Sequence, residues 1–419
     1  MTLDSARIRK SFPALSRPVI FLDNPGGTQI AYQSLERIQK YLVETNANHG
    51  GNFPTSRASD AVIEQARAAA ADFLNAARTE EIVLGPNMTT LTFRISRAMG
   101  ALFKPGDTLV VTRLDHDANV TPWVRLAEDQ QLRIRTVDFN PATGMLDLDD
   151  LKSALSDGVR LLAVGYASNA LGTVNPLCDI IDVAHQAGAL VYVDAVQYAP
   201  HGPIDVQRLD CDFLVCSAYK FFGPHVGLLY GRYDLLDNLR AYRVRPAPAA
   251  PPGKFETGTN NFEGIAGLLG ALEYLEWLGK EFGADFYDLY SEEYEGRRLT
   301  LKQAMSAIRS YEYELSRKML DVLHSIPGLH LYGPDNSRHL ENRVPTFAFT
   351  LENHTPDEAA TFLGERGINV WNGNFYALSV TERLGLEDQG GLIRVGAVHY
   401  NTLEEIDRLA EALSDLVKR

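Results

Sequence analysis

Short runs of strand-forming residues alternate with amphipathic helical stretches between residues 80 and 235, and this alternation limits the possible folds strongly. The helical stretches begin at residues 61, 89, 147 and 178 and have apolar residues at helical spacing. Several strand runs are apolar on both faces, as in buried, mostly parallel strands. The pattern predicts an α/β fold with a seven-stranded, mostly parallel sheet covered by helices. The strand runs are EIVLG at 81, DTLVVT at 107, LRIRTVD at 132, RLLAVGYA at 160, ALVYVDA at 189, DFLVCS at 212 and VGLLYG at 226.

The pattern changes beyond residue 280, where a long helical stretch precedes the strand runs VPTFAFTL, INVWNG and LIRVGAVHY. The last helix begins near Thr402 and Glu405, which have the spacing of a capping box. A Pro-rich loop at 245, RPAPAAPPGKFETGTNN, is expected to cover a site or an interface. We predict a large α/β domain over residues 21–280 and a smaller α+β domain made of residues 1–20 and 281–419.

The overall charge and the cysteines restrict the class of protein. A net charge of -14 disfavours nucleic acid and anionic membrane surfaces as partners, because both repel an acidic surface. No stretch approaches the roughly 20 apolar residues of a membrane helix, and the first residues lack the apolar core of a signal peptide. Cys178, Cys211 and Cys216 cannot all pair and lack metal-finger spacing. We expect a cytoplasmic protein with no membrane partner, no nucleic-acid partner and no metal site.

Two charged residues follow neighbouring strand runs. Asp194 ends the run VYVD, and Lys220 follows the next run, DFLVCS. The carboxyl ends of parallel strands form the ligand crevice of an α/β sheet. A pyridoxal phosphate site requires an aspartate for the pyridinium nitrogen and a lysine whose amine bonds covalently to the cofactor. Such an aspartate is otherwise often a turn residue and such a lysine a surface charge, but together they predict a pyridoxal phosphate site in which Lys220 is also the general base.

The residues around this pair resemble a known family. The stretch VDAVQYAPHGPIDVQRLDCDFLVCSAYKFFGPHVGLLYGR is similar to the class V aminotransferase superfamily, and specifically to its cysteine desulfurase and selenocysteine lyase group. The resemblance extends from FLDNPGGTQIA at 21 to IRVGAVHYNTLEEIDRL at 393. It implies the fold type I of pyridoxal-phosphate-dependent transferases, a homodimer with shared active sites, and a small α-amino acid as substrate.

The resemblance also implies where the phosphate and the phenolic oxygen of the cofactor bind. The segment GPNMTTLTF places the backbone amides of Met88 and Thr89 at a helix start, where an anion is stabilised. Ser217 is implied as a further phosphate ligand. Asn169 and Gln197 are implied to lie near the phenolic oxygen. The alternative for Thr89 is a simple helix cap.

The resemblance implies roles for four further residues that are spread along the chain. His116, in the acidic-His-x-x-Asn segment LDHDAN, is implied to stack on the cofactor ring and to carry protons, although a lone histidine is usually structural. Thr259 is implied to reach the phosphate in the neighbouring subunit. Arg394 is implied to clamp the substrate α-carboxylate, for which its planar guanidinium is suited. His49 is implied to contact substrate or the partner subunit, or is simply exposed.

The chain departs from the desulfurase pattern at the substrate end. Desulfurases carry a cysteine on a loop of the small domain, and its thiolate takes up the sulfur as a persulfide. The matching stretch, INVWNGNFYALSV at 368–380, contains no cysteine and has Tyr376 or a close neighbour at that place. Trp371 stands where the family usually has an arginine, and Tyr219 replaces the histidine before Lys220. The persulfide route is therefore absent from this loop, and Trp371 and Tyr376 predict an aromatic wall against the substrate.

These residues leave several functions open. The leading hypothesis is a β-elimination or C–S lyase reaction, which needs no acceptor cysteine. Transamination uses the same carbanion and is the nearest alternative, followed by epimerisation. A non-catalytic scaffold of the same fold has no need to combine a lysine, an aspartate and an arginine in this way. A dinucleotide-binding oxidoreductase is disfavoured because no G-x-G-x-x-G follows the first strand.

Overall fold

The strand runs of the sequence form two main sheets and one short strand pair. The computed structural model describes residues 3–155 and 158–418. Within them the strands are β1 (Ile20–Phe21), β2 (Ile82–Gly85), β3 (Thr108–Thr112), β4 (Arg133–Val137), β5 (Val159–Gly165), β6 (Leu190–Asp194), β7 (Phe213–Ser217), β8 (Gly227–Gly231), β9 (Leu329–Tyr332), β10 (Thr346–Leu351), β11 (Ile368–Asn369), β12 (Trp371–Gly373) and β13 (Leu392–Gly396).

The helices connect and cover these strands. Over the same described residues they are α1 (Ser5–Arg9), α2 (Tyr32–Lys40), α3 (Pro54–Leu74), α4 (Met88–Met99), α5 (Thr121–Gln130), α6 (Leu148–Ala154), α7 (Leu177–Gln186), α8 (Val206–Leu209), α9 (Tyr233–Asn238), α10 (Phe262–Phe282), α11 (Tyr287–Tyr290), α12 (Gly296–Ser325), α13 (Pro356–Gly364), α14 (Leu378–Leu384) and α15 (Leu403–Leu416). None of these described helices is both long enough and apolar enough to cross a membrane.

The larger sheet has the predicted seven strands, in the order β2-β8-β7-β6-β5-β3-β4 among the described residues. The strands from β4 to β7 pair in parallel, whereas β8 is antiparallel to β7 and β2. The core strands β6, β7 and β8 are almost wholly buried, which explains why their sequences are apolar on both faces. The predicted α/β fold with a mostly parallel sheet is confirmed.

The connections between parallel strands bring their carboxyl ends to one edge of the sheet. β5 ends at Gly165, β6 at Asp194 and β7 at Ser217, and the loop after β3 carries His116. A short 3-10 helix, Ala218–Lys220, follows β7 directly. The predicted lysine and aspartate therefore start from adjacent strands at the edge where ligands bind in α/β sheets.

A second, antiparallel sheet has the order β12-β13-β10-β9. The predicted run INVWNG divides into β11, which pairs in parallel with β1 through Ile20 and Ile368, and β12, which pairs with β13. The capping box predicted for α15 is present, because the Thr402 side chain accepts from the Glu405 amide and Glu405 accepts from the Thr402 amide. The β1 pairing ties the start of the chain to this region. The division into residues 21–280 and residues 1–20 with 281–419 stays a prediction.

Candidate active site

An enclosed space of about 60 Å³ lies at the carboxyl ends of β5, β6 and β7. Elements that are far apart in the sequence supply its walls, because the sheet brings these strand ends and the start of α4 together. Eight of the predicted cofactor residues line this inner space: Met88, Thr89, His116, Asn169, Asp194, Gln197, Ser217 and Lys220. The structure therefore places most of the predicted cofactor residues around one small enclosed volume.

Lys220 is buried at the boundary between this space and a larger cleft. Its Nζ donates a hydrogen bond to the Pro25 carbonyl and lies 5.1 Å from the Tyr219 ring centroid. Burial lowers the pKa of Lys220 to about 7; Arg394 lowers it further, and Asp194 opposes the shift. A substantial fraction of this amine is therefore neutral, and so nucleophilic, at neutral pH.

Two buried carboxyl groups lie beside each other in the inner space. Asp194 Oδ1 accepts from the Val196 amide at 2.8 Å, and burial raises the Asp194 pKa to about 6, against the effect of that hydrogen bond and of Lys220. Asp115 was not singled out by the sequence analysis. Burial, with a further contribution from Asp194, raises the pKa of Asp115 to about 8. Both pKa values are raised, Asp115 more than Asp194, so the pair favours a state in which it keeps one proton and carries one negative charge.

Asp115 is held by two donors. Its Oδ1 accepts from the Gly165 amide at 2.7 Å, and its Oδ2 accepts from Asn119 Nδ2 at 3.0 Å. A Cβ at position 165 would lie 2.5 Å from Asp115 Oδ1, so only glycine fits at the end of β5. The sequence signal for Asp115 was its place as the acidic residue of the acidic-His-x-x-Asn segment, but its contact with Asp194 depends on the tertiary fold.

The start of α4 forms the other end of the inner space. The Met88 amide donates to Ser217 Oγ at 3.0 Å, and the Asn87 side chain caps the helix by accepting from the Thr90 amide at 2.8 Å. A helix start of this kind stabilises an anion, and the Ser217 hydroxyl is a further hydrogen-bonding group. The buried Asn169 Oδ1 has no hydrogen-bond partner in the described structure. With an amine and a carboxylate nearby, this set of groups fits pyridoxal phosphate.

His116 lies at the same boundary as Lys220. Its ring stacks on the ring of Tyr376, with centroids 5.7 Å apart, and its Nδ1 accepts from the Ala118 amide at 3.0 Å. Burial, together with the positive charges of Lys220 and Arg394, lowers the pKa of His116 to about 4. The imidazole is therefore neutral at physiological pH, with Nδ1 as an acceptor. Its stacking on a cofactor ring stays a prediction.

A cleft of about 800 Å³ continues outward from the inner space. Arg394, from β13, is buried in its wall, and one of its terminal nitrogens donates to the Asn169 carbonyl at 2.8 Å. The guanidinium carbon lies 4.2 Å from the Phe375 ring centroid, and the buried Nε has no partner in the described structure. Burial lowers the Arg394 pKa to about 9, so the group is still cationic at neutral pH. Arg394 is therefore available to a carboxylate in the cleft.

The turn at 374–376, in the stretch that is predicted to match the cysteine loop of the desulfurases, forms one wall of this cleft. Phe375 and Tyr376 both have left-handed backbone conformations, with φ of 57° and 58°. Asn169 Nδ2 donates to the Phe375 carbonyl at 2.8 Å, and the Asp117 amide donates to the Tyr376 carbonyl at 2.7 Å. These bonds tie the turn to the larger sheet. Together with Trp371 of β12, the two rings form the predicted aromatic wall.

Two predicted site residues lie elsewhere. His49 and Thr259 are exposed, and neither lines the inner space or the cleft of its own chain. The His49 ring is 6.3 Å from that of Phe262, the first residue of α10, and Thr259 precedes the same helix. Both residues are therefore near one helix start, and their predicted contribution to a partner's site stays a prediction.

The match to a family model decides the relationship of this chain to known proteins. The model of class-V aminotransferases matches residues 20–286 and 295–409. The chain belongs to the class-V aminotransferase family. This family depends on pyridoxal phosphate, and the predictions of a family member and of a pyridoxal-phosphate-dependent enzyme are confirmed.

Individual relatives cover nearly the whole chain. The aminotransferase-like protein FGM3 of Gibberella zeae is 37% identical over 97% of this chain and 96% of its own length. A cysteine desulfurase of Synechococcus elongatus is 33% identical over 98% of this chain, which spans 63% of that relative. The apo structure of a cysteine desulfurase from Thermococcus onnurineus NA1 has a TM-score of 0.88 at 27% identity and covers 100% of this chain and 99% of its own.

Uptake of cofactor by the apo protein is expected to depend on pH through Lys220. Because only the neutral amine forms the covalent bond, the rate should rise about tenfold per unit below a midpoint near the lowered Lys220 pKa and level off above it. Stopped-flow absorbance after adding pyridoxal phosphate measures this. Arg394→Leu removes a neighbouring positive charge and should move the midpoint up, whereas Asp194→Asn should move it down. A midpoint near the ordinary lysine pKa would contradict the burial argument.

Proposed function

We propose that this protein binds pyridoxal phosphate through Lys220 and Asp194 and eliminates the β-substituent of an α-amino acid, with carbon–sulfur bonds as the main target. One observation carries the proposal. A buried, partly neutral lysine and a buried carboxylate line the inner space, while a buried arginine lines the adjoining cleft. This arrangement separates a place for the cofactor from a place for the substrate carboxylate.

The residues of the inner space would hold the cofactor. Ser217 and the start of α4 at Met88 and Thr89 would bind the phosphate, Asp194 would pair with the ring nitrogen, and Asn169 and Gln197 would lie near the phenolic oxygen. Pyridoxal phosphate, when bound, supplies a ring that withdraws electrons from the substrate Cα. The pKa of Asp194 is raised less than that of Asp115, so Asp194 is the member of the pair that can more easily carry the negative charge.

The remaining steps fall to side chains at the boundary between the inner space and the cleft. Arg394 would hold the substrate α-carboxylate through its unpartnered side. Once the substrate amine has replaced Lys220 on the cofactor, the freed Lys220 Nζ would remove the Cα proton. The electron pair left at Cα then forms the Cα–Cβ double bond, the sulfur leaves with the electron pair of the Cβ–S bond, and the proton held by Lys220 converts the thiolate to a thiol. Addition of one water to the three-carbon product gives pyruvate and ammonia, so the reaction needs no oxidant and no reductant.

The described lining of the cleft offers no thiol that would accept sulfur as a persulfide. Among the described residues that line the cleft or the inner space there is no cysteine. Cys211 and Cys216 are buried elsewhere, and burial raises the pKa of both thiols. Cys178, in α7, is exposed. These positions support a lyase that releases its sulfur product to solvent.

The test is product analysis with the purified protein and added pyridoxal phosphate. L-cysteine, cystine, cysteine sulfoxides and L-alanine are supplied in turn, and pyruvate, sulfide and 2-oxo acids are measured. Pyruvate from a sulfur compound, without an added oxo acid, is the expected result. Amino-group transfer that requires an oxo acid would replace the lyase by the aminotransferase alternative, and loss of optical purity without either product would indicate epimerisation.

We also propose a homodimer with shared sites. Light scattering measures the molar mass in solution and so tests whether the protein is a dimer.

A further inference from the structure

The charges in the cleft are separated along its depth. Lys220 and Arg394 are only 8% and 4% exposed, whereas Trp371 and Tyr376 are 49% and 75% exposed. The two basic residues therefore lie at the floor and the two rings at the mouth. A ligand whose carboxylate reaches Arg394 at the floor would extend outward toward these exposed rings.

Two carboxylates lie at the mouth beside the rings. Asp117 and Glu387 both line the cleft and are partly buried. The turn at 374–376 connects them, because the Asp117 amide donates to the Tyr376 carbonyl and Asn374 Nδ2 donates to Glu387 Oε1 at 2.9 Å. The mouth therefore combines two aromatic faces with two negative charges.

Neither carboxylate forms a close ion pair within the described chain, although Asp117 is close enough to the guanidinium of Arg125 to interact with its charge. Asp117 Oδ2 accepts from the Thr121 hydroxyl at 2.7 Å, and Glu387 Oε2 accepts from the Thr381 hydroxyl. These partners are neutral, and no lysine, arginine or histidine of the described residues forms an ion pair with either side chain. Each carboxylate offers about four acceptor positions, so both can accept further hydrogen bonds.

Unpartnered groups at the floor show that the same cleft is built to hold a polar ligand. Arg394 and Asn169 both line the cleft. Their buried atoms Arg394 Nε and Asn169 Oδ1 have no hydrogen-bond partner in the described structure. Buried polar atoms of this kind are rare unless a ligand or water completes them. The volume of about 800 Å³ exceeds what a substrate the size of cysteine fills.

We propose that the substrate is an α-amino acid whose side chain ends in a positive charge, an amine or a guanidinium, recognised at the mouth by Asp117, Glu387 and the Trp371 and Tyr376 rings. Carboxylates hydrogen-bond strongly to such a group, and aromatic faces attract it. This inference rests on the proposed function for the reaction at Cβ, but the charge recognition can be measured separately by binding.

The first test compares two pairs of ligands that differ in one charge. The holoenzyme is titrated with L-ornithine and L-norleucine, whose side chains have the same number of heavy atoms, while the cofactor absorbance is followed, which gives dissociation constants for ligands without a β-leaving group. Turnover is then compared for S-(2-aminoethyl)-L-cysteine and S-propyl-L-cysteine, which have nearly the same shape. We expect the cationic member of each pair to be favoured by about tenfold or more, since charge-assisted hydrogen bonds are the stronger ones. Preferences within twofold in both pairs would overturn the proposal.

Amide variants assign the preference to the two carboxylates. Asp117→Asn and Glu387→Gln should each lower the cationic-to-neutral ratio by about threefold or more, and the double variant should bring it near one. Asp388→Asn is the matched control, because Asp388 is exposed beside Glu387 and does not line the cleft. If the two carboxylates had a purely structural role, the variants would weaken binding of the cationic and the neutral ligand equally. An unchanged cationic-to-neutral ratio would therefore overturn the proposal. If no sulfur compound yields pyruvate while the binding ratio stays high, the lyase proposal fails and the charge recognition stands.

Discussion

Replacement of Lys220 with alanine is expected to abolish both turnover and the visible absorbance of the bound cofactor. The amine of Lys220 is buried, partly neutral, and lies where the inner space meets the cleft. Removal of a positioned general base typically costs about 10²- to 10⁴-fold in rate, and loss of the covalent bond to the cofactor adds to this. Product formation and absorbance spectra of the wild-type and variant proteins measure the two effects.

A second variant and a control separate chemistry from folding. Lys220→Arg keeps the positive charge and much of the volume but should also lose the absorbance band, because a guanidinium does not form the bond. Lys302 is the matched control, since it is also buried, has a pKa lowered to about 8 and lies outside both spaces. Lys302→Met should retain the absorbance band. An undiminished band in folded Lys220→Ala would show that Lys220 does not hold the cofactor.

Arg394→Leu is expected to lower kcat/KM for amino acid substrates by on the order of 10²- to 10³-fold, mainly through KM. Loss of one partner of a buried charge pair costs about 2–5 kcal/mol, and each 1.4 kcal/mol is a factor of about ten. The guanidinium lies in the cleft wall with a free Nε, so the substrate carboxylate would lose its counter-charge. Steady-state kinetics, with the dissociation constant of an unreactive amino acid, provide the measurement.

A second buried arginine is the control for this effect. Arg343 has a pKa lowered to about 9 by burial, like Arg394, and its guanidinium carbon lies 3.8 Å from the Phe347 ring centroid. It lines neither the cleft nor the inner space. Arg343→Leu should therefore lower the melting temperature but leave KM within about twofold. Equal increases of KM in both variants would mean that the Arg394 effect is one of stability rather than of carboxylate binding.

The parts of the fold that could be predicted from the sequence are those with a strong local pattern. The central strands of the larger sheet read as apolar runs because they are buried on both faces, whereas the edge strand β4 is recognised by its alternation of polar and apolar residues. β9, Leu329–Tyr332, was not predicted, since its residues are only partly buried and carry no clear alternation. β1 has two residues, and its partner Ile368 lies near the other end of the chain. Such a contact has no local signal.

The candidate site also contains both residues that could be predicted from the sequence and residues that could not. Lys220 and Asp194 could be found because strand ends and a known pattern mark them. Asp115 could not be placed, since its raised pKa depends on burial beside Asp194. The acidic mouth of the cleft was also missed, because Asp117 and Glu387 belong to different short 3-10 helices that only the 374–376 turn brings together.

The two sheets supply different parts of the candidate site. The inner space is lined from the larger sheet and its loops, whereas Arg394 and Trp371 come from β13 and β12 of the second sheet, and the 374–376 turn follows β12 directly. Changes in the 371–376 segment therefore alter the residues that meet a substrate side chain while the lysine, the carboxylates and the start of α4 keep their places. If these residues contact the substrate as proposed, a short series of substitutions in one strand and the turn after it would be enough to change substrate preference, which makes residues 371–376 a practical region for randomisation in directed evolution.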